Sequence, residues 1–274
     1  MGLKDKRASF DEGLTAQMRG DFEGAAAIFE RVIKESPDNA AAHHQLGRCR
    51  MKLGDFQAAV EEIETAIRLS SGRIAARLDL GTLYLAVGDV AKAKVQFMRA
   101  LKINESNVKA MAGLGAAYYY ERDVGKAISQ FQAACALNPA NFVCHFYLAK
   151  IHKGLENPGA MSEEALKSAA ICQGLIRTRP EQPEGYYFLA QTFEVQKEYR
   201  PALQNYLIAR DFSPKGVLHF FAFGLHYSLV DNYLGIARCY EALGEKRYAR
   251  YFGQLTLKIA PENQEATRFA SLEE

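Results

Sequence analysis

Gly13, Gly47, Gly81 and Gly115 stand 34 residues apart, and so do Ala25, Ala59, Ala93 and Ala127. Phe29, Ile63, Phe97 and Phe131 keep the same step. Gly20-Asp21-Phe22 returns as Gly54-Asp55-Phe56 and Gly88-Asp89-Val90. Columns that share one period restrict a chain to repeat architectures, in which each unit is one supersecondary element stacked on its neighbours. The fourth unit reads as two helices. Met111, Leu114 and Tyr118 form one stripe over 108–121, and Ala127, Phe131 and Ala134 form another over 124–137. Arg122-Asp123 makes the turn and Asn138-Pro139 ends the second helix. Gly115 sits mid-helix, where Gly costs about 1 kcal/mol against Ala. Its recurrence predicts a paired helix at close approach, with the small Ala127 facing it.

The residues Met111, Leu114, Gly115, Tyr118, Ala127, Phe131, Ala134 and Pro139 resemble the 34-residue pattern of the tetratricopeptide repeat family. So do Tyr186, Leu189, Ala190, Phe193, Ala202, Tyr206, Ala209 and Pro214. The resemblance covers nearly the whole chain. It implies an all-α fold, a right-handed α-solenoid of about seven helix-turn-helix repeats with a C-terminal capping helix. One domain over 1–274 is expected, with repeats at 6–39, 40–73, 74–107, 108–141, 142–182, 183–216 and 230–263, and a cap at 264–274. The fifth repeat is 41 residues long. Its extra length is expected in the inter-helix turn, Lys153–Gly159, with Ser162 capping the next helix. The apolar stretch 217–229 repeats a first-helix pattern through Val217, Phe220, Phe223, Gly224 and Tyr227, so it is expected to be an extra helical segment, mostly buried.

Composition removes several functions. Lys plus Arg number 34 and Asp plus Glu 32, a net +2, which argues against a nucleic-acid binder. The apolar run 217–230 is too short for a membrane span. The first residues lack the apolar core of a signal peptide. Five scattered cysteines without Cys-x-x-Cys spacing suit reduced thiols in the cytoplasm. No phosphate loop, His-Glu-x-x-His or dinucleotide fingerprint is present, so no cofactor is expected and the chain reads as no enzyme. His145 and His152 share a helix face, as would His219 and His226, but packing outweighs metal binding for both pairs.

Function therefore falls to the concave groove that the resemblance implies, lined by the first helix of each pair. The candidates there are Arg48 and Lys52; Lys109, Tyr119, Tyr120, Phe146 and Lys150; and Tyr187, Gln191 and Glu194. The central set, Tyr119, Tyr120, Phe146 and Lys150, is expected to be the main site, because aromatic anchors dominate interfaces while exposed ion pairs add little. The expected role is a non-catalytic scaffold or adaptor that takes a peptide or helix of a protein partner. The two-carboxylate clamp by which family members hold chaperone C-terminal tails is not matched: its positions carry Phe10, Leu14, Gln45, Ala75 and Asp79, or His44, Arg48, Asp79, Lys109 and Gly113. Self-assembly through open solenoid ends, or a regulatory place in an enzyme complex, are the alternatives.

Overall fold

The computed structural model describes residues 3–213, 218, 220–223 and 225–273. The chain is all-α in class, with helices packed in tandem. The single array read from the sequence divides into two compact units, Met1–Gln130 with Phe221–Leu225, and Phe131–Phe220 with His226–Glu274.

The first unit holds α1 (Leu3–Met18), α2 (Phe22–Glu35), α3 (Ala40–Lys52), α4 (Phe56–Leu69), α5 (Ile74–Ala86), α6 (Val90–Ile103) and α7 (Val108–Tyr120). The unit boundary falls within α8 (Val124–Leu137). Each helix from α2 to α7 packs on the one before it. The second helices bury Ala25 and Phe29, Ala59 and Ile63, and Ala93 and Phe97. Their rings and branches lie where a side chain at the recurrent glycine would stand. A Cβ at Gly81 would come 2.8 Å from the Phe97 ring, and one at Gly113 of the next pair 2.3 Å from it. The same contact recurs between Gly13 and Phe29 and between Gly47 and Ile63, which explains why a residue unfavourable in a helix recurs, and Phe97 meets a further glycine, Gly113, on its other side.

The second unit holds α9 (Phe142–Gly154), α10 (Pro158–Thr178), α11 (Pro183–Val195), α12 (Tyr199–Asp211), β1 (Phe220–Ala222), β2 (Leu225–Tyr227), α13 (Leu229–Ala242), α14 (Lys246–Ile259) and α15 (Gln264–Ala270). Residues 221–225 of the strand pair belong to the first unit. The terminal α15 buries Ala266 and Phe269 and turns Thr267 and Arg268 outward.

One turn chemistry recurs between the helices of a pair. A residue with left-handed backbone ends the first helix: Gly20, Gly54, Gly88, Arg122, Glu156, Lys197 and Gly244. The next N–H then reaches back to the first helix, as from Asp21 to the Ala16 carbonyl at 3.0 Å and from Asp123 to Tyr118 at 3.0 Å. This is the Schellman closure. The carboxylates of Asp21, Asp55 and Asp89 also accept N–H groups at the start of the second helix, so one residue closes one helix and caps the next. Arg122 holds φ +62° with its side chain exposed. A non-glycine residue there costs about 1 kcal/mol. Arg122→Gly is therefore expected to raise stability by about 0.5–1 kcal/mol, read as a higher denaturation midpoint. Gly88→Arg should lower it.

Two expectations need correction. The fifth repeat does not lengthen its turn. Asn157 caps α10 through Ala160 N–H, and Pro158 occupies the first helical turn, where its fixed φ suits a helix start. Ser162 therefore lies inside α10, and the extra residues extend that helix to 21 residues. The stretch 217–229 is not a helix in its described residues. β1 pairs with β2 through Phe223 at φ +55°. Aromatic residues favour strands, and a left-handed residue suits a tight hairpin turn. The calls on Val217, His219 and Gly224 lie outside the described residues. Phe223, Tyr227 and Leu229 are buried, whereas His226 is exposed. Ser228 and Asp231 then form a capping box at α13.

Candidate functional site

In the first unit, α1 and α3 flank a cavity of about 420 Å³. Leu14 and Met18 from α1, Phe22 at the start of α2, and Met51 from α3 supply its apolar walls. Gln17 and Gln45 add amides, and Arg48 and Lys52 place two cations on one side. Met18 is 87% exposed, an unusual state for a large apolar residue. Arg48 lies 3.4 Å from the Gln45 amide oxygen and 3.8 Å from Asp79. Asp79 is also engaged by His44 at 2.8 Å.

Farther along, Lys109 is exposed on α7, and Tyr119 and Tyr120 meet edge to face at 5.6 Å. Burial raises the Tyr119 phenol above its ordinary pKa, while Tyr120 is 43% exposed.

The second unit brings Phe146, Lys150, Tyr187, Gln191 and Glu194 onto α9 and α11, but not as an open aromatic groove. Phe146 and Tyr187 are each 3% exposed, which corrects the expectation that both are surface anchors. Phe146 meets Tyr147 edge to face at 6.2 Å and lies under the Lys150 ammonium at 5.5 Å. Burial depresses the Lys150 pKa, with nearby Glu194 opposing. Tyr187 stacks on Tyr227 at 4.1 Å, and that packing takes it out of the surface. Gln191 donates to the Tyr187 hydroxyl at 2.9 Å. Glu194 accepts from Arg238 Nε at 2.7 Å and from the Tyr206 hydroxyl at 2.7 Å, and Arg238 also reaches Glu265 at 3.2 Å. On this face Glu194 and Arg238 pair with each other. A second cavity, of about 280 Å³, opens elsewhere in the unit between Phe142, Leu175, Arg179, Glu184 and Phe188.

Sequence reasoning missed two things. The apolar walls of the first cavity, Leu14, Met18, Phe22 and Met51, are not among the residues picked out for the groove, although the first, second and fourth stand at groove-lining positions of the family pattern. The Arg238–Glu194–Tyr206 network joins three helices, which no single repeat reveals. His145 contacts Glu164 at 2.6 Å and His43 contacts Glu62 at 2.6 Å. His226 contacts Asp231 at 3.2 Å. Among the described residues, no group of three His, Cys, Asp or Glu side chains is placed to hold a metal ion. No helix among them is long and apolar enough to cross a membrane.

Tandem helix pairs, glycine-spaced contacts and Schellman turns define a helical repeat protein. A tetratricopeptide repeat model matches residues 16–68 and 51–118, and the chain is a tetratricopeptide repeat protein. A tetratricopeptide repeat protein from Parabacteroides merdae is similar in structure at TM-score 0.62 and 16% identity, over 97% of each chain. The Cut9–Hcn1 hetero-tetramer of the APC/C gives TM-score 0.63 at 16% identity, over 94% of this chain and 48% of that one. MamA from Desulfovibrio magneticus RS-1 gives 0.55 at 20% identity, over 65% of this chain and 98% of that one. These likenesses describe the fold. A comparison with curated protein sequences returns no match.

Proposed function

We propose that this protein is a non-catalytic interaction scaffold that holds a peptide segment of a protein partner in the cavity between α1 and α3. The carrying observation is that cavity: apolar walls with Met18 almost fully exposed, edged by Arg48 and Lys52. Methionine-lined surfaces adapt to varied apolar side chains. The two cations favour a segment with acidic residues beside its apolar anchors, and they set orientation and association rate more than total affinity. The second unit supports this placement indirectly, because Glu194 and Arg238 already answer each other there. Phe146 is a core residue, which favours the first unit for the partner's anchors. Five free thiols suit a reducing compartment, and we place the protein in the cytoplasm.

The test compares two variants by titration calorimetry against a peptide carrying leucines and glutamates. Met18→Ser with Phe22→Ser is expected to weaken binding by about tenfold or more, since apolar anchors carry interface energy. Arg48→Gln with Lys52→Gln is expected to slow association and flatten its salt dependence, with a smaller loss of affinity. Unchanged binding in both variants, at unchanged helicity, overturns the assignment.

A further inference from the structure

The second unit contains a thiol cluster that the scaffold reading does not use. His145 is buried on α9, and its two ring nitrogens face two acceptors. Nδ1 lies 2.6 Å from Glu164 Oε2, and Nε2 lies 3.1 Å from the Pro139 carbonyl. A ring that donates from both nitrogens is an imidazolium. Its next neighbour is the Cys135 sulfur, 3.9 Å from Nδ1. Cys144, fully buried, is the group that acts most strongly on the Cys135 thiol. Lys167 holds the other oxygen of Glu164 at 3.0 Å.

We propose that Cys135 is a peroxide-reactive thiol whose sulfenic acid is captured by Cys144 as an intramolecular disulfide. An adjacent cation stabilises the thiolate, the form that attacks. The Cys135 thiol is held below its ordinary pKa, first by the hydrogen bond from the Cys144 thiol and next by His145. His145 is raised to about 9, with the Cys135 contact the largest cause and Glu164 and the Pro139 carbonyl acting in the same direction. Because both ring nitrogens are committed to Glu164 and Pro139, His145 is not free to shuttle a proton. The cluster therefore suits oxidation of sulfur rather than hydrolysis. The remaining thiols differ. Cys49, Cys172 and Cys239 are buried, and burial raises them to about 11, 12 and 12. Cys135 is only half-buried. Three periods earlier, His43 makes the same pair of contacts, to Glu62 at 2.6 Å and the Pro37 carbonyl at 2.9 Å. The places of Cys135 and Cys144 there are taken by Ile33 and Ala42. The histidine contacts are thus a repeated structural device, and the two thiols are what this copy adds.

The oxidant is a hydroperoxide. The Cys135 thiolate attacks one peroxide oxygen, forming S–O as O–O breaks, and hydroxide leaves to become water on gaining a proton. The Cys144 sulfur then attacks the sulfenic sulfur while its thiol proton is lost. S–S forms, S–O breaks, and water departs. Two thiols are oxidised and one peroxide is reduced.

The experiment treats the full chain with stoichiometric hydrogen peroxide, quenches with dimedone and N-ethylmaleimide, and maps peptides by mass spectrometry. Ala127–Lys150 is one tryptic peptide carrying both cysteines, so the disulfide appears there as loss of two hydrogens without label. Cys135 is expected to react about tenfold or more faster than Cys49, Cys172 or Cys239. Cys144→Ser should accumulate the dimedone adduct on Cys135 in place of the disulfide. His145→Gln, with helicity checked by circular dichroism, should move the pH profile of Cys135 alkylation upward, because the imidazolium lowers the Cys135 thiol while the Glu164 carboxylate raises it, an effect that packing alone does not produce. Reaction of Cys135 no faster than the buried thiols overturns the proposal, as does a Cys135 sulfenic acid that never pairs with Cys144.

Discussion

Phe97→Ala is expected to lower the unfolding free energy by about 3–5 kcal/mol, measured by chemical denaturation. The ring is fully buried, and both helices it touches present glycine to it, Gly81 and Gly113. Neither neighbour has a side chain that can move into the space left behind. Residual cavity volume sets the cost of such truncations, so the loss should fall in the upper part of the usual range. Phe97→Leu keeps much of the volume and should cost clearly less. Repeat arrays are stabilised by nearest-neighbour interfaces, so amide exchange should rise most in α5, α6 and α7. A loss under about 1 kcal/mol would mean that the glycine columns do not mark the close contacts assigned to them.

Tyr206→Ala is the second large effect, again about 3–5 kcal/mol. The Tyr206 ring is fully buried, and a Cβ on Gly235 would come 2.5 Å from it. It meets Tyr187 edge to face at 5.5 Å, and its hydroxyl donates to Glu194 at 2.7 Å. Tyr206→Phe separates these roles. It keeps the ring and removes one hydrogen bond, so the expected cost is about 1 kcal/mol. Equal losses in both variants would place the energy in the Glu194–Arg238 network rather than in the ring packing.

The period made the helix pairs legible because three constraints recur together: glycine at the crossing, an aromatic or large aliphatic residue against it, and a left-handed residue before an N-capping aspartate. Where the sequence changes those residues, reading it becomes harder. Arg122, Glu156 and Lys197 take the backbone that glycine marks elsewhere, so the turn is present without its usual sign. The fifth repeat shows how an insertion is misplaced. Asn157-Pro158-Gly159 reads as a turn, yet Pro158 in a first helical turn and Asn157 at its cap start a helix equally well. The stretch Phe220–Tyr227 was ambiguous for another reason. A short apolar run has no period long enough to separate strand from helix. Two of the aromatic candidates lie too deep. Phe146 and Tyr187 stand at positions that line the groove in the family pattern, but Lys150 covers one ring and Tyr227 the other. Arg48 and Lys52, chosen from the same pattern, do edge a cavity.

The scaffold reading stands on the α1–α3 cavity, and selection from a random peptide library displayed against the full chain tests it most directly. The account predicts enriched peptides that combine acidic residues with leucine or aromatic anchors. Their binding should be lost in Met18→Ser with Phe22→Ser and retained in Tyr248→Ser with Tyr251→Ser, which alters exposed rings on α14. Peptides that bind the Met18 and Phe22 variant as well as the parent, or that lose binding through Tyr248 and Tyr251 instead, would contradict it.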